Sequence, residues 1–217
     1  MKMLNGYLRW FWYLLFPVAL ITAVFTVSCS EPALNCDYTE FVLKEEDAHL
    51  SESGHDLFSF EYPRCLHLIS TPGRHDWQTT RLSFTKKGIG RFSDWYFYRL
   101  HIRVYPAGVE GNTDALTAIE SDISDFSTSQ YIQDFQVFER STITIDGITG
   151  EYVHYSYRDP PPQETNPYEQ IVKEVWFDYD GFVWQIYFIY GPEYDEEDTE
   201  EVGTYFDHII ETFRILD

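Results

Sequence analysis

Two Asp-Gly pairs, Asp146-Gly147 and Asp180-Gly181, each stand between runs rich in β-branched and aromatic residues, and they commit the C-terminal half of the chain to antiparallel hairpins. Glycine accepts the positive φ that a two-residue hairpin turn demands, so the chain can reverse there without strain. The flanking segments read as strands: Gln136–Ile145 and Ile148–Arg158 around the first turn, Glu169–Asp178 and Phe182–Tyr190 around the second. Phe182–Tyr190 is apolar on both faces except at Gln185, the pattern of a central strand covered on both sides.

Upstream, Phe58, Phe60 and Tyr62 alternate in a strand that Pro63 stops, with Leu66–Ile69 as its continuation or partner and Thr79–Phe84 as a further short strand. Lys86–Gly90 reads as a turn. In the run Asp94–Tyr105, Tyr96, Tyr98, Leu100, Ile102 and Val104 share one face, and Arg99, His101 and Arg103 share the other. The prolines of Asp159–Pro167 cannot extend a sheet ladder, so that stretch reads as an exposed loop.

Two helices complete the pattern. Asn112-Thr113-Asp114 is an N-cap cluster, followed by Leu116, Ile119, Ile123 and Phe126 in one stripe, which predicts a helix over Thr113–Phe126. The second spans Glu200–Phe213, with Asp198 and Glu201 at capping-box spacing and Val202, Tyr205, Phe206, Ile209, Ile210 and Phe213 on one side. Runs of strands before each helix predict an α+β domain, an antiparallel β-sheet covered by helices, and not a doubly wound parallel sheet.

The N-terminus reads as an address. Lys2 and Arg9 precede an uncharged run, Trp10–Ser30, and the segment ends on Phe25-Thr26-Val27-Ser28-Cys29, which resembles the bacterial lipobox with Cys29 as the acylated residue. The expected division is a lipoprotein signal peptide over 1–28, a tether and lead-in of irregular or short helical character over 29–55, and the folded domain over 56–217. A retained transmembrane anchor and plain secretion stay open, because the apolar run approaches the roughly 20 residues that span a bilayer. With Cys29 lipidated, Cys36 and Cys65 remain as an even pair outside the cytoplasm, where a disulfide can persist; two free thiols are the alternative.

The chain has 217 residues, 15 Lys plus Arg against 36 Asp plus Glu, and a formal charge of -21, which repels a nucleic-acid backbone. It repels anionic head groups too, so the membrane is expected as a partner only through the lipid anchor, beside a protein partner the sequence does not name.

The opening Phe58-Ser59-Phe60-Glu61-Tyr62-Pro63, the middle Asp146-Gly147-Ile148-Thr149-Gly150 and the ending Trp184-Gln185-Ile186-Tyr187-Phe188 through a helix to Phe213-Arg214-Ile215-Leu216 resemble the PsbP-like domains. These are found in an extrinsic photosystem subunit and in many bacterial exported lipoproteins. The resemblance covers Asp56–Leu216 and implies an α/β/α sandwich, an accessory or binding role, and no enzymatic activity.

Chemistry by motif is sparse. His67 and His75-Asp76-Trp77 could meet in space as metal ligands but read as loop or sheet-surface residues, and Ser51–Asp56 holds the residue types of a triad without an arrangement to match. No catalytic residue, metal ligand or cofactor is expected. Two alternatives remain: a divalent-cation binder using the acidic run Glu193–Glu201, and an unrecognised enzyme with His101 and His154 facing each other across the sheet near Glu151.

Overall fold

The computed structural model describes residues 37–43, 57–68, 80–87, 96–109, 113–158, 169–191 and 196–216. Cys29, Cys36, His75, Asp76, Trp77, the 51–56 stretch and the proline-rich 159–167 stretch lie outside these residues.

Among the described residues, ten strands and two helices follow one another as β1 (Tyr38–Val42), β2 (Phe58–Pro63), β3 (His67–Leu68), β4 (Thr80–Lys87), β5 (Tyr96–Pro106), α1 (Ala115–Thr128), β6 (Gln133–Ile145), β7 (Ile148–Arg158), β8 (Glu169–Tyr179), β9 (Phe182–Tyr190), α2 (Glu196–Thr212) and β10 (Arg214–Ile215). Seven strands form one antiparallel sheet in the order β3-β4-β5-β9-β8-β7-β6, and three form another, β1-β2-β10. Both expected hairpins are present. Asp146 and Gly147 take φ of 47° and 83°, Asp180 and Gly181 take 48° and 79°, so all four turn positions are left-handed as a primed turn requires.

Side-chain parity along β9 separates two apolar contact sets. Trp184 stacks on Phe177 of β8 with ring centroids 5.6 Å apart, and meets Phe58 of β2 edge-on at 5.7 Å and Phe213 at 6.2 Å. Phe58 in turn stacks on Phe213 at 5.4 Å, so the three-stranded sheet and the end of α2 share this core. The alternate residues Val183 and Tyr187 join Val172 and Trp176 of β8, Val153, Tyr155 and Tyr157 of β7, and Ala115, Ala118 and Ile119 of α1 in a second cluster.

Several local expectations are corrected. Tyr38–Val42, assigned to the lead-in, is a strand, and Phe41 lies 5.3 Å from the Phe84 ring, which explains why an exposed tether would waste it. His67–Leu68 pairs with β4 and not with β2, because Pro63 ends that ladder and the turn at Arg64-Cys65 redirects the chain. Lys86 and Lys87 belong to β4 opposite Tyr98 and Tyr96, not to a turn. Asp114 caps α1 as expected, its Oδ1 accepting the Thr117 amide at 2.7 Å, but Leu116 is 50% exposed and Ala115, Ala118 and Ile119 face inward. Small alanines let the helix approach the large rings below it, which a leucine would prevent. α2 begins at Glu196, so Asp198 stands in its first turn and not at its cap; the stripe Val202, Tyr205, Phe206, Ile209, Ile210 and Phe213 is buried throughout.

Gly150 marks a close approach between β7 and β8. A Cβ there would stand 2.9 Å from Val175 Cγ2 and 3.1 Å from the Trp176 carbonyl oxygen, and the backbone atom cannot rotate away. Gly150→Ala is therefore expected to lower stability by roughly 1–3 kcal/mol, measured by urea unfolding. A midpoint equal to wild type would contradict this packing.

Candidate functional site

The inward stripe of α1 contains Asp122, one turn beyond Ala118 and Ile119. β8 brings Glu174 to the same parity as Val172 and Trp176, and β9 brings Gln185 to the parity of Val183 and Tyr187. Glu174 is 0% exposed. Its Oε2 accepts from Gln185 Nε2 at 2.8 Å, while Gln185 Oε1 accepts from Arg103 Nη1 of β5 at 3.1 Å. The Arg103 guanidinium also lies 5.6 Å over the Tyr187 ring. Four elements thus contribute one polar group each to a site walled by Tyr105, Tyr155, Tyr157, Tyr187 and Trp176.

Glu174 Oε1 has no close, well-aligned hydrogen-bond partner among the described residues, and the Asp122 carboxyl interacts with Glu174 directly. Two carboxylates in such a place repel each other, whereas one proton between them satisfies both. Burial raises the Glu174 pKa well above the ordinary carboxylate value and the Asp122 charge raises it further, against the Gln185 and Trp176 hydrogen bonds and the Arg103 charge. Burial likewise pushes Asp122 up to about 6, with Arg103 opposing. The tyrosines around them, Tyr155 and Tyr187, are raised well above their ordinary value by burial first and by the Glu174 charge among other neighbours, so they stay neutral hydroxyls. Chemically the arrangement can hold a proton between a helix and a sheet.

The residues expected to converge do not. His101 is buried with Nδ1 2.7 Å from the Ser83 hydroxyl, and its ring lies 5.9 Å from Tyr187. His154 is registered with Lys173, on the opposite face of β7 from Val153 and Tyr155, with its ring 5.0 Å from Phe138. The two histidines stand on opposite faces of the sheet because they differ in parity across the β5-β9-β8-β7 registers. Glu151, across from Trp176, is half-buried and not beside either histidine. His67 is exposed at the short β3. Cys65 lies in the turn after β2. Of the acidic run, Glu196–Glu201 is helical; among the described residues no group of three His, Cys, Asp or Glu could hold a metal ion. Among them, too, no helix is long and apolar enough to cross a membrane, and the run Trp10–Ser30 falls outside them.

Gln185 was the one sequence signal for this site, as the polar exception in a strand apolar on both faces. Asp122 and Glu174 were missed: each looks like an ordinary solvent-facing acid until the helix and strand are seen to face each other.

The shared proton has a testable sign. Both carboxyls have folded-state pKa values above their unfolded values, so between about pH 4 and the folded titration the native state binds more protons than the unfolded one. Stability contributed by this pair is complete below about pH 4 and is lost as pH rises through about 6 and beyond. Glu174→Gln supplies a permanent amide donor, and is expected to be more stable than wild type by roughly 1–2 kcal/mol at pH 8 with a flatter pH profile. A variant less stable than wild type at pH 8, in melting curves taken from pH 4 to 8, would oppose the shared-proton reading.

No protein-family model matches the sequence, and no curated protein sequence matches it. Solved structures do match its fold. The cyanobacterial PsbP (CyanoP) of Synechocystis superposes with a TM-score of 0.51 at 11% identity, covering 87% of this chain and 98% of that one. LpqN of Mycobacterium tuberculosis, described as involved in cell envelope biogenesis, gives 0.50 at 13% identity over 83% and 92%. The Ran-binding protein Mog1p of Saccharomyces cerevisiae gives 0.51 at 9% identity over 84% and 97%. The chain, whose described residues are mostly antiparallel sheet with two helices, therefore has the PsbP-like fold.

Proposed function

We propose that this protein is a non-catalytic binding or assembly module, held on the outer face of the cytoplasmic membrane by a lipid on Cys29. One observation carries the reading: the polar groups that converge on Gln185 lie between α1 and the sheet, with Glu174 wholly buried, while large apolar side chains remain exposed along β6. Buried acids without solvent access serve architecture; exposed apolar side chains serve contact. Two proteins of the same fold carry names that fit, one as a Ran-binding protein and one as involved in cell envelope biogenesis. In this reading the domain is an α/β/α sandwich, α1 covering the Val183–Tyr187 parity of the sheet and α2 with the three-stranded sheet covering the Trp184–Phe188 parity.

The basic start, uncharged run and lipobox-like ending support export and acylation. The net charge of -21 leaves the acyl chain as the means of holding the protein at an anionic surface. Labelled palmitate is expected to enter the wild type and not Cys29→Ala, read by fluorography of membrane fractions; equal labelling would exclude the anchor. Cross-linked affinity purification from native membranes should recover a partner protein with the acylated form. Recovery of the protein alone, together with a reproducible turnover of a small molecule, would reverse the binding-module reading.

The same proposal includes a Cys36–Cys65 disulfide. β1 and β2 pair so that Tyr38 meets Pro63, and the Arg64 amide donates to the Asp37 carbonyl at 2.8 Å. This register, which joins the residue after Cys36 to the residue before Cys65, supports the pairing. Cys36→Ser should expose Cys65 to alkylation without reductant and lower stability by roughly 2–4 kcal/mol. A Cys65 thiol that stays protected in Cys36→Ser would point to another partner.

A further inference from the structure

The seven-stranded sheet ends on β6, and among the described residues no strand pairs with its outer edge. β6 is 13 residues long, about twice the usual strand. An open edge of that length offers unpaired N–H and C=O groups that another extended chain can satisfy. Three of the five described residues with large exposed apolar side chains lie here: Tyr131 is 67% exposed just before the strand, and Val137 and Phe138 within it are 40% and 47% exposed, the other two, Leu68 and Leu116, standing singly on β3 and α1.

The edge has two parts. Its pairing with β7 shifts between Gln133 and Gln136 and again between Val137 and Glu139, the first irregularity including Asp134 at φ 51°. From Glu139 to Ile145 the register then runs unbroken to the Asp146-Gly147 turn. Bulges re-aim side chains and stop flat edges from pairing end to end. Here the second bulge places Phe138 and Glu139 together beside His154, with the Phe138 ring 5.0 Å from the imidazole and Glu139 its register partner. An apolar head is thereby joined to a regular ladder.

Electrostatics selects the occupant. A second copy of this chain brings another -21 and is repelled. The arginines at the strand are already engaged, Arg140 with Glu120 at 2.6 Å and Arg158 with Asp134 at 3.4 Å. Glu139 accepts the Ser141 hydroxyl at 3.1 Å and, among the described residues, forms no ion pair with a Lys or Arg, which leaves it facing a cation from outside.

We propose that the β6 edge is the docking site for an extended segment of a partner protein in which apolar residues, covering Tyr131, Val137 and Phe138, alternate with Lys or Arg facing Glu139. This rests on the binding-module reading above. The segment adds as an eighth strand along Glu139–Ile145, main-chain hydrogen bonds holding it and the apolar head and Glu139 selecting it.

The test uses the full-length protein in detergent and a synthetic peptide of about ten residues alternating Val and Lys with a Phe at one end, beside a peptide with Glu in place of Lys. Hydrogen–deuterium exchange is expected to show saturable protection concentrated in Glu139–Ile145. Binding should fall roughly tenfold or more in Val137→Lys/Phe138→Lys, whose exposed positions leave the melting curve unchanged, and with the Glu peptide. Protection elsewhere, or equal binding of the two peptides, overturns the proposal. In the native cell, benzoylphenylalanine at position 138 is expected to cross-link a partner and at Leu116 of α1 not to. Cross-linking through 116 alone overturns the β6 site and leaves the binding-module reading standing. A 138 position that cross-links nothing, in cells where affinity purification also recovers no partner, overturns both.

Discussion

From Val183 to Phe188, six consecutive side chains of β9 are buried, and a strand dry on both faces requires a cover on each. Most of the described fold follows from that requirement. The even residues Trp184, Ile186 and Phe188 need the ring cluster that Phe58, Phe60 and Phe213 supply from β2 and the end of α2. The odd residues Val183 and Tyr187 need α1, whose alanines allow a close approach over Trp176 and Tyr155. Because a one-residue slip would exchange the two sets, the hairpin turns at Asp146-Gly147 and Asp180-Gly181 also fix which cover each face receives.

Within this frame Gln185 is the odd residue that breaks the apolar pattern, and the polar site grows outward from it. A buried amide needs partners for both its oxygen and its nitrogen. Arg103 meets the first and Glu174 the second. Glu174 is then a dry acid with an oxygen to satisfy, which Asp122 answers if the two hold a proton between them. Elsewhere acids serve as connectors: Asp146 accepts the Ile215 amide at 2.9 Å, tying the first hairpin to β10, and Asp178 accepts the Ala115 amide at 3.0 Å, tying β8 to the start of α1. The chain uses carboxylates inside as fixed acceptors while its surplus of them faces outward.

Lys173 shows the same economy on the other face of β8. Its ammonium donates to both Asp207 carboxylate oxygens, at 2.9 and 3.0 Å, and to the Gly203 carbonyl at 3.0 Å, joining the sheet to α2 at the one glycine in that helix. The missing Cβ at Gly203 makes room for the Tyr190 hydroxyl, which it would meet at 3.1 Å, while Lys173 Nζ would lie at an ordinary 3.9 Å. The helix stripe alone does not disclose the contact, since Lys173 reads as a wet residue between Val172 and Glu174.

What the amino-acid order determines by itself is what depends on near neighbours: the left-handed Asp-Gly turns, the Asp114 cap, the buried stripe of α2, the double-sided burial of β9 and the antiparallel class of the sheet. Each is set by backbone sterics or by the period of a single element. Tertiary structure decided the rest. Which face of α1 turns inward was settled by the rings beneath it, so Leu116 is exposed and Asp122 lies against the sheet. Tyr38–Val42 became a strand because β2 offered an edge, and His101 and His154 were parted because parity is counted across three intervening strand pairs. Those outcomes depend on residues far apart in the chain, and a period read along one segment carries no record of what the segment will face.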